Sequence, residues 1–310
     1  VTGVSGSGKT SLVIECLVPA LQAVIQGTKH PEHVDSIEAK GIQSVKVIDS
    51  KPIGANVRST VATYDGVFDD LRKLFARTAD AKAKGLTAGD FSYNTGKLRC
   101  PVCDGTGIIT MDVQFLPDVD TICPSCGGSR YGKDAYDILW KSKEKDSVSV
   151  SLPSLLKLTV EEAAGILHEE TKIAKQLKIL QDLGVCYLTL GEATPALSGG
   201  EAQRLKLAYE METPQQGSVF VFDEPTIGLH PQDVKKLVLI FDHLIQLGAT
   251  VIVIEHDLEL VTNCDYIIDM GPWGGTEGGR VVVEGTPEAV AATSESITGR
   301  YLKQELAEDK

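Results

Sequence analysis

The sequence lacks long hydrophobic runs. Its longest apolar stretches, such as Val251 to Ile254 and Val281 to Val283, have the length of β-strands, whereas a membrane-spanning helix needs about 18 or more apolar residues. The apolar share of 42% over 310 residues is still enough for packed cores. We therefore predict a globular protein that is long enough for two domains and has no membrane as a partner.

Basic residues are also too few to give the whole surface a positive charge. The chain has 30 Lys and Arg against 43 Asp and Glu, which gives a formal net charge of -13. A polyanion such as DNA would therefore have to bind to local patches. The closely spaced Lys141, Lys143 and Lys145 are typical of a solvated face and do not by themselves indicate such a patch.

The pattern of a disulfide framework is absent too, and no signal-peptide pattern opens the chain. Four of the seven cysteines form two Cys-x2-Cys pairs, which suits a reducing compartment and predicts a cytoplasmic protein. The other three, Cys16, Cys186 and Cys264, stand in apolar surroundings and are predicted to be core residues.

The order of apolar runs indicates an α/β protein. Val45 to Ile48, Val219 to Phe222 and Ala249 to Ile254 read as buried strands. The residues from Val234 to Ile245 have helical spacing and lie between the last two strands, which predicts a parallel pair of strands.

A separate module interrupts this α/β pattern. Val67 to Phe75 has helical spacing, residues 80–98 are small and polar, the four paired cysteines follow, and Leu155 to Leu183 is again mostly helical. At the start, only Val1 and Thr2 remain of the strand that normally precedes a phosphate-binding loop. We therefore expect the chain to be a piece of a longer protein.

The first eleven residues carry a phosphate-binding loop. Residues 3–10 fit Gly-x4-Gly-Lys-Thr, in which the glycines allow backbone N–H groups to surround a phosphate at a helix N-terminus. Lys9 would hold the β- and γ-phosphates of ATP, and the hydroxyl of Thr10 would bind Mg²⁺. A glycine-rich turn before a helix is the alternative interpretation. The predicted nucleotide-binding residues are Gly3, Ser5, Gly6, Ser7, Gly8, Lys9, Thr10 and Ser11.

Two adjacent acids follow the strand Val219 to Phe222. Asp223 is predicted to bind Mg²⁺, and Glu224 to accept a proton from the water that attacks the γ-phosphate. His256 ends the next strand and is predicted to contact the phosphates at the same sheet edge. A solvated turn at the acids and a structural histidine are the alternatives.

A second glycine pair opens a helix further along the chain. Ser198, Gly199 and Gly200 form a capped helix start with the shape of an anion site. The residues alone leave two interpretations open, a second phosphate site and a simple capped helix.

The four paired cysteines predict a structural metal site. Cys100, Cys103, Cys123 and Cys126 supply four thiolates on two turns, and this ligand set selects Zn²⁺. Residues 108–122 between the pairs are long enough for a hairpin. Asp112, Asp118 and Asp120 in that hairpin would repel DNA phosphates.

In this order, these parts resemble the ATP-binding cassette ATPases, because Leu197 to Arg204 reads Leu-Ser-Gly-Gly-Glu-Ala-Gln-Arg and precedes the strand that ends at Asp223. Within that class the chain is similar to the C-terminal half of the UvrA family. The similarity extends over nearly the whole chain and includes Pro52 to Gly54, Arg58 to Ser59, Ala62 to Tyr64, Phe115 to Val119, Arg130 to Tyr131 and Val253 to His256.

The resemblance implies an α/β cassette of the ATP-binding type with an inserted helical signature domain that carries a zinc hairpin. It implies an ATP-binding core at residues 1–78 and 214–310 and a signature domain at 79–213, with the zinc module at 98–131. Ser198, Gly199 and Gly200 would close over the ATP of another cassette.

The resemblance also implies a function. The chain would be an ATPase that recognises damaged double-stranded DNA in nucleotide excision repair and the SOS response, with ATP, Mg²⁺ and Zn²⁺ as cofactors. Its partners would be the N-terminal cassette of the same protein, a second copy in a homodimer, and a UvrB-like subunit.

Some positions depart from the family pattern. The family has Asp-Gln-Ser-Pro-Ile-Gly where this chain has Asp49, Ser50, Lys51 and then Pro-Ile-Gly. The shorter Ser50 hydroxyl does not reach Mg²⁺ or the attacking water as the glutamine does. The following Ala55, Asn56 and Val57 also differ from the usual family sequence, and this favours an alternative, a UvrA-like paralogue linked to drug self-resistance.

Three other classes compete with a repair ATPase. A transporter ATPase is disfavoured because residues 10–197 separate Lys9 from Ser198, and because the zinc module has no role there. A zinc-hook chromosome ATPase would need long heptad arms, which the sequence lacks. A nucleotide-binding fragment with little turnover stays open.

Overall fold

The computed structural model describes residues 1–111, 119–143, 148–211 and 215–308. The predicted DNA-repelling Asp112 and Asp118, and Phe115 to Pro117 of the family resemblance, lie outside these ranges. Within them, the strands are β1 Thr2–Gly3, β2 Ser44–Ile48, β3 Ile108–Met111, β4 Val119–Ile122, β5 Leu139–Lys141, β6 Ser149–Ser151, β7 Ser218–Asp223, β8 Thr250–Ile254, β9 Ile267–Gly271 and β10 Arg280–Gly285.

The α-helices are short except for four of twelve or more residues. They are α1 Val18–Gln26, α2 Val61–Tyr64, α3 Val67–Ala76, α4 Ala79–Ala83, α5 Leu152–Leu155, α6 Val160–Ile166, α7 Thr171–Asp182, α8 Gly199–Met211, α9 Pro231–Gln246, α10 Leu258–Thr262, α11 Pro287–Ala291 and α12 Ile297–Glu308. A π-helix, Ser11–Leu17, leads directly into α1.

The chain divides into two compact units. The first contains Val1–Lys51 and Glu210–Lys310, and the second contains Pro52–Tyr209. Residues 52–78, which the sequence assigns to the ATP-binding core, lie in the second unit. Their assignment to the core as a functional domain stays a prediction.

The first unit is built on a mostly parallel sheet. β2, β7 and β8 pair in parallel, as predicted for the last two, and β1 pairs in parallel with β9, with β10 antiparallel at the edge. The Val1 N–H group donates to Val253 O (2.6 Å), and Glu255 N–H donates to Val1 O (3.0 Å). This is the bonding pattern of a parallel pair, and it joins the three-stranded sheet β1-β9-β10 to the three-stranded sheet β2-β7-β8 at Val1.

The sheet is covered by helices because its strands are apolar on both faces. Val13 and Val18, from the segment after the phosphate-binding loop, pack with Val219, Val221 and Ile254 of β7 and β8. α9 was predicted from its periodicity, and its Phe241 ring lies 4.6 Å from the Phe222 ring, centroid to centroid. Because β2, β7 and β8 run parallel, and Val1 bonds to the end of β8 in the parallel pattern, the carboxyl ends of β1, β2, β7 and β8 lie at one edge of the unit.

The second unit is mainly helical, and the zinc hairpin belongs to it. α3 contacts α7, and α7 contacts α6. Phe75 and Phe91 are fully buried together, with ring centroids 6.1 Å apart. The helical character predicted for Leu155 to Leu183 is confirmed by α6 and α7. Among the described residues, no helix has both the length and the apolar character needed to cross a membrane.

Candidate functional site: a nucleotide loop and a cysteine cluster

The predicted phosphate-binding loop follows β1 and leads into the π-helix. Gly3 has a φ of 133°, and a Cβ there would lie 2.0 Å from Met270 O, so the close pairing of β1 with β9 requires glycine. Ser5, Gly6, Thr10 and Ser11 are exposed. The loop is therefore open to a ligand on one side.

Two side chains of the loop, Ser7 and Lys9, carry polar groups that suit a bound anion. Ser7 is fully buried, and its hydroxyl has no hydrogen-bond partner among the described residues. Lys9 is 7% exposed, and its ammonium group donates to Gly3 O (2.9 Å) and Val4 O (3.0 Å) across the loop. The hydroxyl of Thr10 does not cap the following helix. These polar groups fit the β- and γ-phosphates of a nucleotide.

A glycine-rich segment that sequence reasoning missed supports the loop from behind. Gly275 N–H donates to Gly6 O (3.1 Å), and Gly279 N–H donates to Ser7 O (2.9 Å). A Cβ on Gly274 would lie 2.6 Å from Ser5 O. These bonds turn two carbonyl groups of the loop away from the ligand side. The density of glycines in residues 271–279 was the available signal.

The two predicted acids lie at the end of β7. Asp223 is half-buried, and burial raises the pKa of its carboxyl, as do the charges of Glu224 and Asp49. A cation at this position would relieve that repulsion, so the site fits Mg²⁺. Glu224 has a left-handed φ of 48°, and its N–H donates to Ile254 O (2.9 Å). Such a backbone is uncommon for a side chain of this size and directs Glu224 away from the course of the strand.

His256 follows β8 at the same sheet edge. Its side chain is 66% exposed, and its Nδ1 lies 3.5 Å from a carboxylate oxygen of Glu255. The parallel strands therefore bring the phosphate-binding loop, Asp223, Glu224 and His256 to one edge of one compact unit.

One of the positions that depart from the family pattern lies at this edge as well. Ser50 comes two residues after Ile48, which pairs with Phe222 immediately before Asp223. The neighbouring Lys51 lies 3.5 Å from Asp49, ammonium nitrogen to carboxylate oxygen, and its charge lowers the pKa of Asp223 against the acids. The segment around Ser50 therefore places the charges of Asp49 and Lys51 near Asp223, the candidate magnesium ligand, and has a serine where the family has a glutamine.

The second glycine pair lies in the other unit and has a capped helix start. Ser198 N–H donates to a Glu201 carboxylate oxygen (2.7 Å), and Glu201 N–H donates to Ser198 Oγ (3.4 Å) at the beginning of α8. Tyr187 donates from its hydroxyl to the other oxygen of Glu201 (2.8 Å). Ser198 and Gly199 are exposed. The cap is therefore built and open to solvent, as both interpretations of this segment require.

The four cysteines form one compact cluster. All their sulfur atoms lie within 4.8 Å of one another, with Cys100 to Cys123 at 4.0 Å and Cys103 to Cys126 at 3.7 Å. In a tetrahedral site with Zn–S bonds of about 2.3 Å, the sulfur atoms are about 3.8 Å apart. All four sulfur atoms therefore fit a closed structural Zn²⁺ site.

The surroundings of the cluster shift the pKa values of two of its thiols in opposite directions. Burial opposes ionisation of Cys100, but backbone N–H groups of Cys103 and Val102 lower the pKa of its thiol to about 7. Burial raises the pKa of the Cys126 thiol to about 12, and hydrogen bonds that this thiol donates to the sulfur atoms of Cys123 and Cys103 add to this. A bound Zn²⁺ would favour the thiolate form at all four sulfur atoms and release protons.

Two arginines that sequence reasoning did not assign to the site fix the cysteine module within its unit. Arg58 donates to Asp104 O (2.8 Å) and forms an ion pair with its carboxylate (3.3 Å). Arg130 is buried, donates to Val57 O (2.9 Å) and lies over the Tyr93 ring at 5.1 Å. The hairpin of β3 and β4 extends beyond this base, and Thr110 donates to Asp120 there (2.7 Å).

The sequence is similar to UvrABC system protein A from several bacteria. No protein-family model matches the chain. The chain is 45% identical over 313 residues to UvrABC system protein A of Staphylococcus aureus (strain COL), an alignment that covers 100% of this chain and 32% of that protein. It is 46% identical over 311 residues to the protein of the same name from Clostridium acetobutylicum, covering 99% of this chain and 32% of that one.

A solved structure supports the same relationship. UvrA2 from Deinococcus radiodurans matches with a TM-score of 0.85 and 41% identity, over 98% of this chain and 36% of that chain. The chain thus spans about a third of the length of the curated relatives that it matches. Its fold is that of an ATP-binding cassette with an inserted signature domain and a cysteine module. Over its whole length, this chain belongs to the UvrA family.

Proposed function

We propose that this chain is the C-terminal cassette of a UvrA-type protein, which binds and hydrolyses ATP while scanning DNA for damage in nucleotide excision repair. One observation supports this most strongly. A single sheet edge gathers the phosphate-binding loop, Asp223, Glu224 and His256 in a chain that is 45% identical to UvrABC system protein A. We also propose that the protein acts in the cytoplasm and takes part in the SOS response.

Binding of ATP falls to the loop after β1. Lys9 would exchange its two carbonyl partners for the β- and γ-phosphates, because hydrogen bonds between charged groups are roughly twice as strong as neutral ones. The N–H groups and hydroxyls of the loop would surround the remaining oxygens. Thr10 and Asp223 would hold Mg²⁺, which neutralises charge on the phosphates when bound.

Hydrolysis needs a base at the attacking water. Glu224 would take this proton, since its backbone turns the carboxylate out of the line of β7. His256 has an exposed ring at the neighbouring strand end and would contact the γ-phosphate. Ser198, Gly199 and Gly200 would complete the ATP site of another cassette from the start of α8, where Ser198 and Gly199 are exposed.

The partners follow from this incomplete site. The N-terminal cassette of the same protein would supply the opposite signature segment, and two such proteins would form a homodimer that engages a UvrB-like subunit. The zinc module would present its hairpin to double-stranded DNA. Because Asp120 lies on this hairpin, strong DNA binding by the hairpin alone is not expected.

A second candidate rests on Ser50. A UvrA-like paralogue that serves drug self-resistance would keep ATP binding but couple it differently to turnover, and Ser50 replaces the glutamine that makes this coupling in the family. A binding fragment with little turnover is the weakest form of this alternative.

The test is ATP hydrolysis by the complete protein that contains this chain, without DNA, with undamaged duplex and with damaged duplex. Glu224→Gln removes the proposed base, and Glu284→Gln on the exposed edge strand β10 is the matched control. We expect turnover that responds to damage and falls about 100-fold or more at this site in Glu224→Gln alone. Turnover that ignores DNA would favour the paralogue, and unchanged turnover in Glu224→Gln would refute the assigned base.

A further inference from the structure

One buried carboxylate at the nucleotide site has no role in the assignments above. Glu255 directly follows β8 and is 1% exposed. Its Oε1 accepts hydrogen bonds from the N–H (3.0 Å) and the hydroxyl of Thr226. Its Oε2 accepts from His256 N–H (2.7 Å) and Asp257 N–H (3.2 Å). Four donors thus fill the acceptor positions of one carboxylate.

The two segments that meet at Glu255 carry the proposed reacting groups. Thr226 comes two residues after Glu224, whose strained backbone donates to Ile254 O at the end of β8 (2.9 Å). His256 is the next residue after Glu255. The backbone of Glu255 in turn donates to Val1 O (3.0 Å), beside the strand that enters the phosphate-binding loop.

A buried carboxylate is costly to keep unless donors stabilise it. Here the donors come from two turns that are neighbours on the sheet edge but 29 residues apart in sequence, as the separation of Thr226 and Glu255 shows. Glu224, in the turn after β7, has a left-handed φ. A residue with a large side chain keeps such a backbone only where neighbouring contacts hold it. Loss of the bonds to Thr226 would therefore release the turn that carries Glu224.

We propose that Glu255 is a positioning residue for ATP hydrolysis. Its carboxylate joins the turn after Glu224 to the backbone of His256, so that the base and the histidine face the same γ-phosphate. This inference rests on the proposed ATPase function. Glu255 itself touches no phosphate, because it is buried beneath the two turns.

Glu255→Gln in the complete protein is the sharpest test because it preserves the volume of the side chain. A glutamine offers one acceptor oxygen, and its NH₂ group then faces either Thr226 or the N–H groups of His256 and Asp257. We expect kcat to fall by about 10- to 100-fold, as small displacements of reacting groups cause. The affinity for a fluorescent ATP analogue should stay within about twofold, since the phosphate-binding loop is unchanged.

Thr226 gives a second test that does not depend on the stability of Glu255→Gln. Thr226→Val removes the hydroxyl donor and should lower kcat. Thr226→Ser keeps the donor, and its kcat should stay close to that of the unaltered protein. In the double variant with Glu255→Gln, the two losses should not add, because both act on the same bonds.

Asp269→Asn is the matched control for a purely structural carboxylate. Asp269 is 2% exposed in the same unit and accepts from Ser296 Oγ (2.6 Å) and Thr298 Oγ1 (2.8 Å). Its replacement should lower the unfolding temperature without changing kcat. If Glu255→Gln does only the same, or lowers ATP affinity as much as kcat, the positioning role is wrong. If Glu224→Gln also leaves turnover unchanged, the base assigned in the proposed function is wrong instead, and Glu255 has no base to position.

Discussion

The nucleotide site and the zinc module bring their side chains together in different ways. The nucleotide site gathers residues 3–11, Asp223 to Glu224 and His256 at the ends of parallel strands, above an apolar cluster that includes Val219 and Ile254. The zinc module uses four cysteines within residues 100–126, and its buried cluster consists of Cys100, Cys103 and Cys123 themselves.

The two sites differ in what stabilises them when no ligand is bound. The sheet has its own core and holds the phosphate-binding loop through backbone hydrogen bonds. On the hairpin, by contrast, Met111, Val119 and Ile122 are 47%, 45% and 70% exposed, so few apolar contacts hold its strands. We therefore expect the first site to be formed without ATP and the second to need its metal.

The largest expected effect is loss of zinc. Cys103→Ser removes one of four ligands from a closed site, and structural Zn²⁺ contributes about 10 kcal/mol or more in small metal-dependent domains. We expect no stoichiometric zinc by elemental analysis and rapid hydrogen exchange over residues 98–131. Cys186→Ser, outside the cluster, should keep its zinc. Slow exchange in a zinc-free Cys103→Ser protein would contradict the difference between the two sites.

The converse change should affect only nucleotide binding. Lys9→Ala removes the ammonium group that bridges Gly3 O and Val4 O and is proposed to bind phosphates. We expect the affinity for ATP to fall by about 100-fold, measured by fluorescence titration, because a direct charged contact is lost. Lys29→Ala at an exposed position is the control. Loss of zinc from the Lys9→Ala protein would show that the two sites depend on each other.

A smaller effect tests how tightly the module fits its unit. Gly105→Ala would place a Cβ 1.7 Å from Tyr93 O, whereas Gly127→Ala, also at positive φ, meets no atom within 4 Å. We expect Gly105→Ala to lower the free energy of unfolding by about 3 kcal/mol, through overpacking, and Gly127→Ala by about 1 kcal/mol. Urea unfolding of the zinc-bound proteins measures both, and equal losses would refute the close approach.

The smallest effect depends on pH. The backbone N–H of Thr87 lowers the pKa of Asp90, with a further bond from the Thr87 hydroxyl. A lowered pKa stabilises the fold above the ordinary value of about 4, and this contribution is lost as the pH falls through the folded pKa. Asp90→Asn should cost about 1 kcal/mol at pH 7 and less near pH 3. A cost that is independent of pH would exclude the ionised carboxylate as its source.

Local patterns predicted much of the fold. β2, β7, β8, α3 and α9 lie where apolar runs or helical periods indicated them, and the parallel pairing of β7 with β8 follows from strand, helix, strand order. The cysteine cluster was predicted because all four ligands lie in two short pairs. In each case the signal is contained in one stretch of chain.

Features that depend on distant partners were not predicted. The helix expected after the phosphate-binding loop begins as a π-helix, Ser11–Leu17, which apolar spacing does not distinguish from an α-helix. The pairing of β1 with β9 joins the two ends of the chain. The buried hydrogen bonds of Glu255 were not predicted, since its partner Thr226 is 29 residues away and has no sequence signal of its own.

The most direct test of this account is DNA-dependent ATP hydrolysis by the complete protein with Cys126→Ser, the least buried of the four ligands. We predict that turnover without DNA and the KM for ATP stay within about twofold of the unaltered protein, because the sheet forms its site without zinc. Stimulation by damaged duplex should be lost. Unchanged stimulation, or an equal loss of turnover without DNA, would contradict the separation of a self-supported nucleotide site from a metal-dependent DNA module.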